Sequence, residues 1–177
     1  VTVKPLYGKQ EGALIGYNPH KPGRPSHDYH TYQMAGLRLM LAVTVAAGDQ
    51  SHANTSLPGL MELIERLPSE KRPALVRGDC GQGGEPTMAA LEARAVHYLF
   101  KLRLTKNVKR YIERSFASGQ WRDAGQGWQA QEGMIQLMGW SRARRIVILR
   151  RPLQGEVLLS NEQQLRLARN ADVTRTT

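Results

Sequence analysis

One cysteine, Cys80, is all the chain has. That excludes a disulfide framework and a thiolate zinc site, and it makes a reducing cytoplasm the default address. No apolar run approaches the length of a membrane span, and the amino end lacks the pattern of a signal peptide. Asn54-Thr55-Ser56 fits a glycosylation acceptor and Arg77-Gly78-Asp79 spells an adhesion tripeptide, but both need an extracellular address and both are set aside. The glycine-rich turn of Gly81, Gly83 and Gly84 has neither dinucleotide-fingerprint nor P-loop spacing, and no Lys-Ser/Thr follows it. It reads as permissive backbone. There is no internal repeat.

What is present is positive charge, and it is unevenly placed. The net charge is +10. Residues 1–99 carry ten Lys+Arg against nine Asp+Glu, residues 100–151 twelve against three, and residues 152–177 three against three. Nine of the ten excess charges thus fall in less than a third of the chain, the distribution that a phosphate backbone selects. A solvated basic face is the plainer alternative.

Residues 1–4 are β-prone and stop at Pro5; a start on Val1 suggests a cut chain. Residues 9–28, rich in Pro and Gly, read as a long loop. His27 and His30 lie three apart, which in an extended segment puts their rings on opposite faces. They are expected to meet solvent or phosphate rather than zinc. Residues 29–34 and 37–45 read as an antiparallel pair, the second alternating Leu37, Leu39, Leu41, Val43 and Val45 with more polar neighbours. Asn54, Thr55 and Ser56 offer caps to a helix with Pro58 in its first turn and Leu57, Leu60, Met61, Ile64 and Leu67 on its inner face.

The stretch Arg72-Pro73-Ala74-Leu75-Val76-Arg77-Gly78-Asp79 is the centre of the pattern. Its short apolar run reads as a strand buried on both faces. Asp79 then stands at the carboxyl end of a strand, where open α/β sheets collect ligands and metals. The alternative is that Gly78-Asp79 only opens a turn. A helix starting at Glu85-Pro86 carries Met88, Leu91 and Ala95 inward, and residues 96–102 read as a second buried strand. Asn107 can cap a helix with Val108, Tyr111, Ile112 and Phe116 inside and Lys106, Lys109, Arg110, Glu113 and Arg114 outside. From residue 121 to 159 the helical period disappears. A small β insertion is expected there, with Trp121, Trp128, Trp140 and Arg142, Arg144, Arg145, Arg150, Arg151 among it; the tryptophans fill its core or stack on an extruded base. Residues 161–177 hold few large apolar side chains.

The element order is that of an RNase H-like domain. Four segments, Val1-Thr2-Val3-Lys4-Pro5-Leu6-Tyr7-Gly8, Gly16-Tyr17-Asn18-Pro19-His20-Lys21-Pro22-Gly23-Arg24-Pro25-Ser26-His27, Arg77-Gly78-Asp79 and Tyr98-Leu99-Phe100-Lys101-Leu102-Arg103, give a specific resemblance. The chain resembles bacterial insertion-sequence transposases of the DDE type over residues 1–159. The resemblance implies an α/β fold: an RNase H-like mixed sheet, truncated at its central first strand, with a β-rich insertion after the fifth strand. The expected division is a partial catalytic core over 1–119, the insertion over 120–160 and a poorly packed tail over 161–177.

The resemblance further implies metal-dependent strand cleavage and transfer on double-stranded DNA at transposon ends. Three carboxylates would hold two Mg2+ or Mn2+ ions. Strands about 4.8 Å apart can bring carboxylates to two hard cations spaced roughly 3.5–4 Å. Asp79 matches the second carboxylate, as catalytic and metal-binding residue. The first would lie before Val1 and the third past the chain end; Glu156 and Glu162 lack the pattern expected around the third. Where the family has an aromatic and then an amide after the second carboxylate, this chain has Gln82 and Gly84. Lys21, Arg24, Lys101, Arg103, Lys106, Lys109, Arg110, Arg142, Arg144 and Arg145 are the expected DNA contacts. The expectation is a transposase fragment, inactive alone and prone to self-association through exposed sheet edges. The rival is a noncatalytic basic nucleic-acid-binding protein in which Asp79 is a turn residue; an RNase H-like nuclease of another kind is a third possibility.

Overall fold

A computed structural model describes residues 1–18, 20–50 and 52–152. The strand expected at 157–159, Glu156 and Glu162, and the tail at 161–177 lie outside the described residues. The described residues form two compact units: residues 1–111 with 136–142, and residues 112–135 with 143–152.

The first unit contains two sheets. In the antiparallel one, β3 (Pro25–Met34) is central. It pairs with β1 (Thr2–Pro5), with the short β2 (Leu14–Ile15) and with β4 (Leu39–Ala47). The expected long loop is therefore partly strand. Its Pro and Gly content is accommodated because β3 begins on Pro25 and β2 is two residues long. Crossing backbones leave no room for side chains here: a Cβ on Gly16 would lie 1.8 Å from the carbonyl oxygen of Gly48.

Helix α1 (His52–Arg66) covers one face of this sheet. The expected burial is reversed on β4. Its apolar positions Leu41, Val43 and Val45 are 40%, 49% and 51% exposed, whereas Ala42 and Ala46 lie partly buried on the other face. The register explains this. Ala42 stands opposite Tyr32 and Ala46 opposite Asp28, and the tyrosine hydroxyl donates to the α1 carbonyl of Ser56 at 2.8 Å. The helix docks on the side where hydrogen-bonding groups and small residues let it come close. Nor is Ser56 a cap: α1 starts before it, Pro58 lies inside the helix, and Ser56 points into the interior.

The second sheet of this unit is the parallel pair β5 (Leu75–Gly78) and β6 (His97–Phe100), joined by α2 (Glu85–Glu92). Among the described residues neither strand has a further neighbour. Both were expected to be buried on two faces, yet Leu75 and Leu99 are about half exposed. Only Val76, Tyr98 and Phe100 pack inward, against Ile64, Leu91 and Val96. Leu91 is fully buried at the centre of this core. Ala95 is not on the helix; it turns the chain into β6 at φ +53°.

Helix α3 (Lys106–Ser118) is opened by Thr105 rather than Asn107: its Oγ1 accepts from the Val108 N–H at 3.4 Å and its carbonyl from the Lys109 N–H at 2.9 Å. Val108 and Ser115 are buried, while Phe116 is half exposed. In the second unit β7 (Arg122–Gly125), β8 (Trp128–Ile135) and β9 (Arg144–Arg150) form the expected small antiparallel sheet. Arg150 covers Trp121 with its guanidinium carbon 3.9 Å from the ring centroid, and Phe116 lies 5.0 Å away at a tilt. Arg151 lies over Trp128 at 4.9 Å. These two indoles have guanidinium partners within the chain.

Candidate functional site

Asp79 follows β5 directly, at the carboxyl end of the parallel pair, and it is exposed. Its Oδ1 accepts the Gly81 N–H at 2.9 Å, and its carbonyl accepts the Gln82 N–H at 3.3 Å. The carboxylate is thus oriented by its own turn, with a second oxygen left for another partner. The neighbouring glycines serve space rather than dihedral freedom. None of Gly78, Gly81, Gly83 and Gly84 has positive φ. A Cβ on Gly78 would meet the Phe100 ring at 2.9 Å, and one on Gly83 would meet the Phe100 Cβ at 3.0 Å. Phe100 packs where these residues have no side chains.

Behind the turn lies a polar chain that sequence reasoning missed. Gln82 donates through Nε2 to Ser56 Oγ at 3.2 Å, and the same hydroxyl lies 2.5 Å from His30 Nδ1. His30 is 2% exposed and Asp28, on the same face of β3, 1%. The expectation that His30 meets solvent or phosphate is therefore wrong. Its ring is on the face covered by α1, and His27, on the opposite face, contacts the Glu11 carbonyl through Nε2 at 3.0 Å. The signal available in the sequence was the alternation Ser26, Asp28, His30, Tyr32, a polar stripe at strand period.

A divalent cation requires several hard oxygen ligands. Among the described residues no group of three His, Cys, Asp or Glu stands together. Asp79 is one suitable donor, and the described residues do not complete a cation site around it.

The expected DNA contacts divide sharply. Lys101, Arg103, Lys106, Lys109 and Arg110 are exposed, from the end of β6 into the first turns of α3. Lys21 and Arg24 are exposed as well, with the Arg24 guanidinium carbon 4.5 Å and the Lys21 Nζ 6.0 Å from the centre of the Tyr7 ring. Arg142 is paired with Glu92 at 2.9 Å, in a segment where Ser141 also donates to Glu85 at 2.6 Å. In the second unit Arg145 is paired with Glu132 at 2.8 Å. The hydrogen bond and charge of Arg145 hold the Glu132 carboxyl below its usual range. Arg144 is 5% exposed, so it is not part of an exposed basic surface. It alternates inward on β9, and the Arg-rich run hid that period.

No curated protein and no solved structure matches the chain. A family model, described as transposase DDE domain group 1, matches residues 1–159. With an acidic residue at the mouth of a parallel strand pair and a match over most of its length, the chain belongs to the DDE transposase domain family.

Proposed function

We propose that this chain supplies one acidic ligand, Asp79, and a DNA-binding surface to a transposase that cleaves and joins DNA strands, and that it has no strand-transfer activity by itself. The family consists of phosphoryl-transfer enzymes that act on DNA and implies an RNase H-like fold. In that frame β1 belongs to the central first strand, β5 and β6 lie on one side of it, β3 and β4 on the other, and β7 to β9 form the insertion.

The observation that carries the reading is the exposed Asp79 carboxylate at the end of β5, oriented by the Gly81 N–H. Mg2+ or Mn2+, when bound, would neutralise charge on the phosphoryl group under attack. Asp79 would provide one oxygen to it, and the remaining ligands are not among the described residues. Lys101, Arg103, Lys106, Lys109 and Arg110, with Lys21 and Arg24, are the phosphate contacts in this reading. Arg142 and Arg145 already have carboxylate partners, and Arg144 is buried.

With Mg2+ and transposon-end DNA, residues 1–177 should show no strand transfer. Turnover that Asp79→Ala abolishes would overturn the inactivity. Duplex DNA affinity should fall steeply as salt rises, by roughly 0.9 decades per decade of salt for each phosphate neutralised. An affinity flat between low and physiological salt would refute the basic surface.

A further inference from the structure

The two sheets of the first unit share no strand pairing among the described residues. Yet Asp79, on one, can serve chemistry with groups held by the other only if its turn is fixed relative to β1 and β3. The Gln82, Ser56 and His30 side chains span that distance. Gln82 lies three residues past Asp79, and its main-chain N–H closes the Asp79 turn at 3.3 Å. Its side-chain amide reaches Ser56 Oγ on α1 at 3.2 Å, and Ser56 reaches His30 on β3 at 2.5 Å. His30 in turn is next to Tyr29, which pairs with Thr2 of β1.

We infer that Gln82 is a positioning residue for Asp79: it ties the turn that aims the carboxylate to a buried pair formed by the Ser56 hydroxyl on α1 and the His30 imidazole on β3. This rests on the reading of Asp79 as an acidic ligand. Several features make the tie specific. Ser56 Oγ has one proton and two lone pairs, so it can accept from Gln82 and still engage His30. Ser56 and His30 are both buried, so the acceptor is held in place and shielded from water, which strengthens the bond. The side chain of Gln82 is also confined at its base, because a Cβ on Gly78 would lie 3.0 Å from the Gln82 Cβ. A phenylalanine at this position could fill space but has no group to donate to Ser56.

The test is amide hydrogen exchange by NMR on the 1–177 chain. It compares the Gly81 N–H, which reports the Asp79 turn, with the Lys101 N–H, which donates to Gly78 across the strand pair at 3.4 Å. Gln82→Ala should speed Gly81 exchange about three- to tenfold, the loss expected for one neutral hydrogen bond, and leave Lys101 unchanged. Gln82→Asn, one methylene too short, should behave like the alanine variant. Ser56→Ala should give the same rise, and the double variant no further rise. Unchanged Gly81 exchange in Gln82→Ala would overturn the inference. So would an equal rise at Gly81 and Lys101, since Gln82 would then be a general stabiliser. If Ser56→Ala fails to fold, the two Gln82 variants still decide. Line broadening by Mn2+ tests the ligand reading independently: Gly81 protection that follows Gln82 supports the positioning role whether or not Mn2+ finds Asp79.

Discussion

The two sheets of the first unit bury opposite kinds of surface. On the parallel pair the covered face is apolar, with Val76, Tyr98 and Phe100 against Ile64, Leu91 and Val96. On the antiparallel sheet the covered face is polar: Ser26, Asp28 and His30 are buried, while Leu41, Val43 and Val45 look outward. Hydrophobic pattern alone therefore locates the inside of one sheet and misplaces it in the other. Where α1 meets β3, the hydrogen bond from the Tyr32 hydroxyl to the Ser56 carbonyl and the contact between His30 and the Ser56 hydroxyl determine the covered face. A Cβ on Gly59 would come 2.7 Å from the Tyr32 hydroxyl, so glycine at that position leaves room for the tyrosine to reach the helix.

This contrast can be broken from the apolar side first. Leu91→Ala should destabilise the first unit by about 3 kcal/mol, the cost of a cavity in a closed core, measured by urea unfolding. On the polar side, His30→Ala should cost about 2 kcal/mol, because the Ser56 hydroxyl loses its buried imidazole partner. If His30→Ala were neutral and Leu91→Ala were not, the polar face would be an incidental feature of the fold.

The pH dependence sharpens the same comparison. Burial raises the Tyr32 hydroxyl above its usual value of 10.0, against a smaller lowering by its Thr44 hydrogen bond. A raised folded-state value means that the unfolded chain loses this proton first. The stabilisation is complete below pH 10.0 and is lost as pH rises past it through the folded-state value. Thermal melts should show a decline above that pH that is shallower in Tyr32→Phe. An identical decline in the variant would remove Tyr32 from the account.

The smallest effect on stability should come from the outward apolar stripe. Val43→Thr should change stability by no more than about 0.5 kcal/mol, as a surface substitution does. Its importance is instead for association. The outer edge of β4 is unpaired among the described residues, and we propose that this strand drives self-association. Val43→Lys with Val45→Lys should lower the sedimenting mass at high concentration. A monomer at all concentrations before mutation would contradict that proposal.

How much was legible follows the same line. The place of Asp79 at the end of a strand could be read because a short apolar run stops at it, and the exposed basic run from Lys101 to Arg110 could be read from charge density. The helices were placed well wherever an apolar stripe drove burial, as with Ile64, Met88, Leu91 and Val108. The link among His30, Ser56 and Gln82 was not legible, since three separate segments bring them together; only His30 sits in a local pattern, the polar alternation of β3. Arg144 was misread because its charge outweighed its position on β9. Both strands of the parallel pair were overburied by a rule that assumes helices on two faces, whereas Leu75 and Leu99 are exposed.

The central claim is that Asp79 is an acidic ligand at the mouth of the parallel pair. Titration of the 1–177 chain with Mn2+, followed by NMR line broadening, tests it most directly. The account predicts weak binding whose broadening centres on Asp79 and Gly81 and disappears in Asp79→Asn. Broadening centred elsewhere, or unchanged in Asp79→Asn, would contradict it.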